Sequence, residues 1–246
     1  MKVLIVYAHP EEKSFNSSML NRSVATLKSL GHEVRLSDLY AMEFNPLASE
    51  RDFLGRRFPE HLQYDREQKH AHANDLFEQD IQREIDKLLW CDFLILQFPF
   101  WWFSVPAILK GWFDRVFANG VAYGAGKRYD TGGLSGRRAM ISTSTAAYPS
   151  MCAPDGLLGD IDVILWPLQN GTLAYTGFDV LPPFIAHSVN FISDQERKAL
   201  LDAYDARLQK IETEAPMFFH PLADFGPDWR LKSDVPPRTV GQRRIR

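Results

Sequence analysis

A chain of 246 residues, 45% hydrophobic and 24% charged, with a formal net charge of −3, can build one sizeable core and is too evenly balanced for a disordered or nucleic-acid-binding protein. No apolar run approaches the ~20 residues of a membrane-spanning helix, and the amino terminus, where Lys2 runs at once into a strand-like segment, does not read as a secretory signal. Two cysteines, Cys91 and Cys152, supply neither a disulfide framework nor metal-ligand spacing, so the expected setting is reducing and cytoplasmic.

Lys2 to Ala8 is a continuous apolar run, expected to be a strand covered on both faces. A polar turn, His9 to Asn16, leads into a helix over about Ser17 to Leu30, which Gly31 stops. Glu33 to Ser37 alternates as a second strand. From Asp38 to about Asn74 no period is sustained, and the segment reads as a long wrapped excursion with short helices. Leu76, Ile81, Ile85, Leu88 and Leu89 give helical spacing over Asp75 to Leu89. Phe93 to Leu96 is the third strand; the chain leaves the sheet at Pro99, and Pro106 suits the first turn of a helix from Ala107 to Phe117. A glycine-punctuated loop carrying Tyr123 and Tyr129 precedes the fourth strand, Arg138 to Thr143. Leu157 to about Leu173 reads as a helix despite Pro167, and Gly177 to Leu181 begins the fifth strand. Ser193 to Ile211 closes the series as a helix with Ser193 as N-cap and Glu196 completing a capping box.

Strand alternating with helix in this way predicts an α/β protein with a doubly wound, five-stranded parallel sheet and helices on both faces. Residues 1–215 are expected to form that domain, and 216–246 an extension packing on it or on a partner subunit. The extension's end is basic, with Arg230, Lys232, Arg238, Arg243, Arg244 and Arg246.

The most informative stretch is Gln97 to Phe117, where Phe100, Trp101, Trp102 and Phe103 stand between two prolines at the carboxyl end of a strand. Ligands bind at that edge in open parallel sheets. From this segment alone, core or a dimer face explains the aromatics as well as a slot for a planar guest does. Neither G-x-G-x-x-G nor a P-loop follows the first strand. Instead His9 and Ser14-Phe15-Asn16 sit at a helix start, where backbone N–H groups hold phosphate. The hydroxyl-rich Ser144, Thr145, Ala146 and Ala147 follow strand four. In a 2-1-3-4-5 order these loops converge on the switch point between strands one and three. His70 and His72 lack a third metal ligand and read as helix surface, and no nucleophile or paired-carboxylate arrangement stands out. Such a chain suits a reaction whose chemistry belongs to a cofactor.

Ala8-His9 with Ser14-Phe15-Asn16, Asp38-Leu39-Tyr40-Ala41-Met42, Gln97-Phe98-Pro99 with Trp102-Phe103, Val105 to Phe113, and Val163 to Pro167 together resemble the NAD(P)H:quinone oxidoreductases of the DT-diaphorase type, within the flavodoxin-like fold. The resemblance implies a homodimer that binds one FAD per subunit rather than FMN. It implies two-electron, ping-pong hydride transfer from NADPH or NADH to a quinone. On the same basis His9, Phe15, Asn16 and Ser18 would serve the pyrophosphate and ribityl chain, Gln63 would reach the FAD from the long excursion, Arg197 would lie near its adenine side, and Phe100 to Phe103 with Ser144 to Ala147 would hold the isoalloxazine ring. Trp102, Phe103, Tyr123 and Tyr175 would line the substrate slot, with Tyr123 supplied across the dimer. Three departures stand out. The mammalian members carry a tyrosine and a histidine at Cys152 and Leu158, paired glycines at Ala146 and Ala147, and a glutamine at Trp101. The alternative implied by a neighbouring resemblance is a flavin-binding ancillary subunit of a potassium-efflux transporter.

Overall fold

The computed structural model describes residues 1–243, so Arg244 and Arg246 of the basic tail lie outside the described residues. Strands β1 (Lys2–Tyr7), β2 (Glu33–Asp38), β3 (Phe93–Pro99) and β4 (Arg138–Ser144) are followed by two short strands, β5 (Asp179–Val180) and β6 (Phe184–Ala186). The order is β2-β1-β3-β4-β5, all parallel, with β6 also parallel to β4. The expected fifth strand is thus split. Pro182 and Pro183 lie between the halves, and neither can donate to a ladder.

Alternation along the strands builds two cores. Val3, Ile5 and Tyr7 of β1 join Phe93, Ile95 and Met140 beneath α1 (Phe15–Ser29) and α6 (Asp194–Leu208). Leu4, Val6, Leu94, Leu96 and Ile141 face α3 (Gln79–Trp90) and α4 (Ala107–Val116). Ala71 of α2 (Tyr64–Asn74) and Leu168 of α5 (Ile161–Leu168) pack on that second core. Gly111 lets α4 approach the excursion, because a Cβ there would meet Pro46 O at 2.2 Å.

Several boundaries move for local reasons. The helix expected from Asp75 begins at Gln79, since Asp75 is left-handed (φ 55°) and Phe77 bridges Phe53 instead. Pro106 stands at the N-cap with extended backbone rather than within the first turn. α5 starts at Ile161, where Asp160 caps the Asp162 N–H, and widens into a π-turn over Gln169–Ala174, after Pro167 has withdrawn one donor. The capping box of Ser193 and Glu196 forms at α6.

A buried ion pair fixes the excursion. Arg115 of α4, 3% exposed, donates to Asp52 Oδ1 at 3.0 Å and Oδ2 at 3.2 Å, to Asp80 Oδ2 at 2.8 Å and to the Asn45 carbonyl at 2.8 Å. Burial lowers its pKa, but the bonds to Asp52 and Asp80 outweigh that and raise it overall. Past α6 the chain returns along the sheet edge, with the Met217 N–H donating to Val180 O at 2.8 Å and Leu222 N–H to Asp130 Oδ1 at 3.1 Å.

Candidate active site

β1, β3 and β4 end side by side, with Tyr7 paired to Gln97, Gln97 to Ser142 and Pro99 to Ser144. After β1, Ser14 caps α1 by accepting from the Ser17 N–H at 3.1 Å, and no acidic residue occupies the first turn. The remaining N–H groups and the helix dipole therefore favour an anion. Asn16 is 2% exposed and donates through Nδ2 to Ser144 Oγ at 2.6 Å, while its Oδ1 is buried with no partner among the described residues. An unpaired buried acceptor costs roughly 1–3 kcal/mol, so this oxygen is set for a ligand donor. The Glu11 N–H donates to His9 Nδ1 at 3.0 Å, which leaves the neutral ring with its proton on Nε2. Burial lowers the His9 pKa, against smaller opposing effects of Glu11. His9 accordingly offers a hydrogen bond rather than a charge.

After β3, Ser144 O accepts from the Phe100 N–H at 2.9 Å, and the Ser104 N–H closes a turn on Trp101 O at 3.0 Å. Between them Trp102 and Phe103 both take positive φ, 50° and 58°. Trp101, Trp102 and Phe103 are 43, 93 and 50% exposed, so they are surface and not core. The Phe103 ring stands edge-on to Phe100 at 6.2 Å, and Trp101 lies 6.0 Å from the His9 ring.

After β4, Thr145 N–H donates to Ala186 O at 2.9 Å and Ala147 N–H to Thr145 Oγ1 at 3.1 Å. The segment following β6 holds this loop: Ser188 N–H and His187 Nδ1 both reach Ala147 O, at 3.1 and 3.2 Å, and Val189 N–H reaches Thr145 O at 3.2 Å. Burial lowers the His187 pKa, keeping its ring neutral with Nδ1 as donor. Neither His187 nor Ser188 is among the residues expected from the sequence, and Gln97 is named there only in a motif, without a role in the site. Ala186-His187-Ser188 repeats the pattern of Ala8-His9, a strand end running into a polar turn, but the two prolines before it obscure the strand. Gln97 was signalled by being polar inside an apolar run; its Nε2 donates to Asn16 O at 2.6 Å and its Oε1 accepts from Ser23 Oγ at 3.3 Å.

The remaining expected residues lie apart from this cluster. Tyr123 and Tyr175, with ring centroids 6.2 Å apart, line a cleft of about 350 Å³ between α4 and α5. Burial, then the Asp65 carboxylate, raises the Tyr123 hydroxyl. Of Phe100 to Phe103 only Phe103 borders that cleft, which Phe98 of β3 also lines. Gln63 precedes α2 with no side-chain capping bond. Arg197 donates to Val189 O at 3.2 Å and Asp194 at 2.7 Å, bracing the β6–α6 segment, and exposed Ser18 donates to Ser14 O at 3.4 Å. Half-buried Phe15 packs against the α1 side of the sheet. Cys152 is buried, its thiol raised by that burial, and Leu158 N–H donates to Met151 O at 2.9 Å.

The donor set suits a flavin. An anion-favouring helix start, an unpaired buried Asn16 acceptor, an exposed aromatic strip and the Ala146 N–H, unbonded among the described residues between the engaged Thr145 and Ala147 amides, meet the needs of phosphate, hydroxylated chain, flat ring and ring heteroatoms respectively.

Residues 1–211 match a protein family described by its flavodoxin-like fold. The chain is 41% identical over 225 residues to NAD(P)H dehydrogenase (quinone) 1 of Cavia porcellus, covering 91% of this chain and 82% of that protein. It is 44% identical over 217 residues to the ribosyldihydronicotinamide dehydrogenase (quinone) of Homo sapiens, covering 88% and 94%. A crystal structure from Klebsiella pneumoniae, of a protein assigned as a quinone reductase, aligns with a TM-score of 0.94 at 37% identity over 100% of this chain and 98% of that one. With its 2-1-3-4-5 sheet and its strand-end site, the chain belongs to the flavodoxin-like family that contains these quinone dehydrogenases.

Proposed function

We propose that this protein is an oxidoreductase that passes two electrons from NADPH or NADH through bound FAD to a quinone, by ping-pong hydride transfer in one shared slot. The observation that carries this reading is the convergence, at one sheet edge, of exposed aromatics with an acid-free helix start and an unpaired buried acceptor. The flavin, when bound, supplies the hydride chemistry. The chain supplies binding, orientation and exclusion of water.

In this reading the α1 start, with Phe15, Asn16 and Ser18, holds the pyrophosphate and ribityl chain. His9 Nε2 donates a hydrogen bond there. Phe100 to Phe103 would carry the ring with Ser144 to Ala147 beside it, and the Ala146 N–H, the amide of that loop not already bonded among the described residues, would donate toward its heteroatoms. Gln63 reaches the cofactor from the long excursion, and Arg197 lies near its adenine side. Trp102, Phe103, Tyr123 and Tyr175 enclose the substrate in a homodimer, with Tyr123 supplied by the partner protomer; Phe103, which borders the tyrosine cleft, supports one continuous slot. Residues 1–215 act as the flavin domain and the remainder as an extension packed against it. The two free cysteines support a cytoplasmic setting.

Anaerobic mixing of the yellow protein with NADH, NADPH or N-ribosyl dihydronicotinamide should bleach the flavin in one two-electron step, and a quinone should restore it. Failure of all three donors to bleach it would favour the ancillary-subunit reading instead. Reoxidation in two separate one-electron stages would sink the hydride scheme. The mass of the flavin released on denaturation distinguishes FAD from FMN.

A further inference from the structure

Outside the active site, one concavity combines unusual electrostatics with a defined wall. It measures about 420 Å³ and lies between the Arg57-Phe58 loop and the outer face of α2, where Arg66, Lys69, His70 and Ala73 follow one another at helical spacing. No carboxylate lines it. Among the described residues Arg57, Arg66 and Lys69 have no ion-pair partner, whereas the neighbouring Arg56 is paired with Glu50 at 2.8 Å. A chain of net charge −3 has acids to spare, and three exposed cations left unpaired around one hollow give it a positive potential that favours an anion.

The wall is held in place from inside. Glu67, fully buried, accepts from the backbone N–H groups of Arg57 and Phe58, both at 2.8 Å. Its two oxygens are thereby turned away from the hollow while the Arg57 and Phe58 side chains form its rim. The Arg57 guanidinium lies 5.4 Å from the Phe58 ring centroid. Asn74 Nδ2 donates to His70 Nδ1 at 3.2 Å, which assigns the ring proton to Nε2 and makes His70 a further donor. Ala73 leaves room beside them. The opposite face of α2 is fully engaged, with Gln68 bonded to Asp114 O and to the Asn119 N–H. The outer face is thus rigidly backed.

We propose that this hollow binds the phosphoryl group of a small ligand. Arginine forks and a lysine ammonium match a multiply charged, oxygen-rich anion. The volume falls in the range of small-molecule pockets, and concavity favours such a ligand over an extended polyanion. A phosphorylated nicotinamide donor and a separate phosphate ester both carry this chemistry.

The test is isothermal titration of the flavin-loaded protein with inorganic pyrophosphate at low salt. Binding is expected, weakening steeply as salt is added. Arg66→Ala with Lys69→Ala should weaken it by about ten-fold or more, two charge-assisted contacts being removed. Ala73→Trp should block it with no change of charge, and removing exposed cations elsewhere, Lys210→Ala with Arg51→Ala, should leave it intact. A rise in KM for NADPH but not for NADH in the Arg66/Lys69 variant would identify the donor's extra phosphate as the ligand; loss of pyrophosphate binding with both KM values unchanged would identify a separate ester. Absence of binding to the parent protein, or equal losses in the pocket and control variants, would overturn the proposal.

Discussion

Gln97→Leu is a sharp test of how the sheet positions the cofactor loop. Gln97 is fully buried in β3 and donates from Nε2 to Asn16 O at 2.6 Å. Asn16 in turn holds Ser144 Oγ at 2.6 Å, with its Oδ1 buried and unpaired among the described residues. Leucine is of similar size, so no large cavity forms. Nor are the former partners left without bonds: Asn16 O is a first-turn helical carbonyl with an i+4 acceptor role, and Ser23 Oγ retains Met19 O at 2.8 Å and Tyr204 Oη at 3.0 Å. The stability loss should therefore be that of a net hydrogen bond, about 0.5–1.5 kcal/mol, and the fall in Tm a few degrees, at about 2–4 °C per kcal/mol for a chain of this size. Flavin affinity should suffer more, by about ten-fold, because a loosened Asn16 no longer presents its acceptor in place. Equilibrium dialysis of flavin and a thermal melt on the same samples measure both. Tyr204→Phe, which spares the Gln97–Asn16 bond, is the control and should keep parental affinity. Unchanged affinity in the leucine variant, or a collapse of the fold, would refute the reasoning.

Other outcomes follow from the same geometry. Trp102→Ala removes a 93% exposed ring, so quinone turnover should fall with flavin retained; equal loss of both would contradict a substrate-facing role. Arg115→Met leaves the nearly fully buried Asp52 without its cation and should cost about 3–5 kcal/mol in urea denaturation, while a loss below 1 kcal/mol would show that Asp52 finds water. His9 and His187 are both held below the ordinary histidine pKa of 6.5 by burial, so the unfolded chain binds more protons as pH drops past that value. Stability should be full above pH 6.5 and decline below it, and His9→Asn with His187→Asn should flatten that acid-side decline in Tm; an unaltered slope would place its origin elsewhere.

What the sequence disclosed follows from the range of the forces involved. β1 and β3 are legible because a strand buried on both faces is mostly apolar, and β4 through its shorter Ala139 to Ile141 run; three such runs with helical segments between them leave few topologies. β5 is legible as the start of the strand expected over Gly177 to Leu181, but β6 is not, since three residues carry no period and the prolines between the two disguise one interrupted strand as a loop. The helix start at Gln79 depends on Phe77 meeting Phe53, 24 positions earlier, and Arg115 finds Asp52 63 positions away. Local patterns cannot report such pairings. At the site the residue types were readable, but the hold of His187 and Ser188 on Ala147 was not, because it depends on where β6 docks.

The aromatic turn shows why exposure was the missing quantity. As a sequence, Phe100 to Phe103 suits a core as well as a slot. In the fold, two successive aromatic residues adopt left-handed backbone at roughly 1–3 kcal/mol each, and burial recovers little of that, because Trp102 is almost wholly in solvent. A core segment would gain apolar burial by relaxing to ordinary φ. The turn is instead pinned on both sides, by Phe100 N–H to Ser144 O and by Ser104 N–H to Trp101 O, so the strain is held by the ends of β3 and β4 themselves. Rings kept exposed against both strain and the hydrophobic effect are stable only because the sheet holds them there, and what they gain must come from something that lands on them: a flat ligand, a second protomer, or both together.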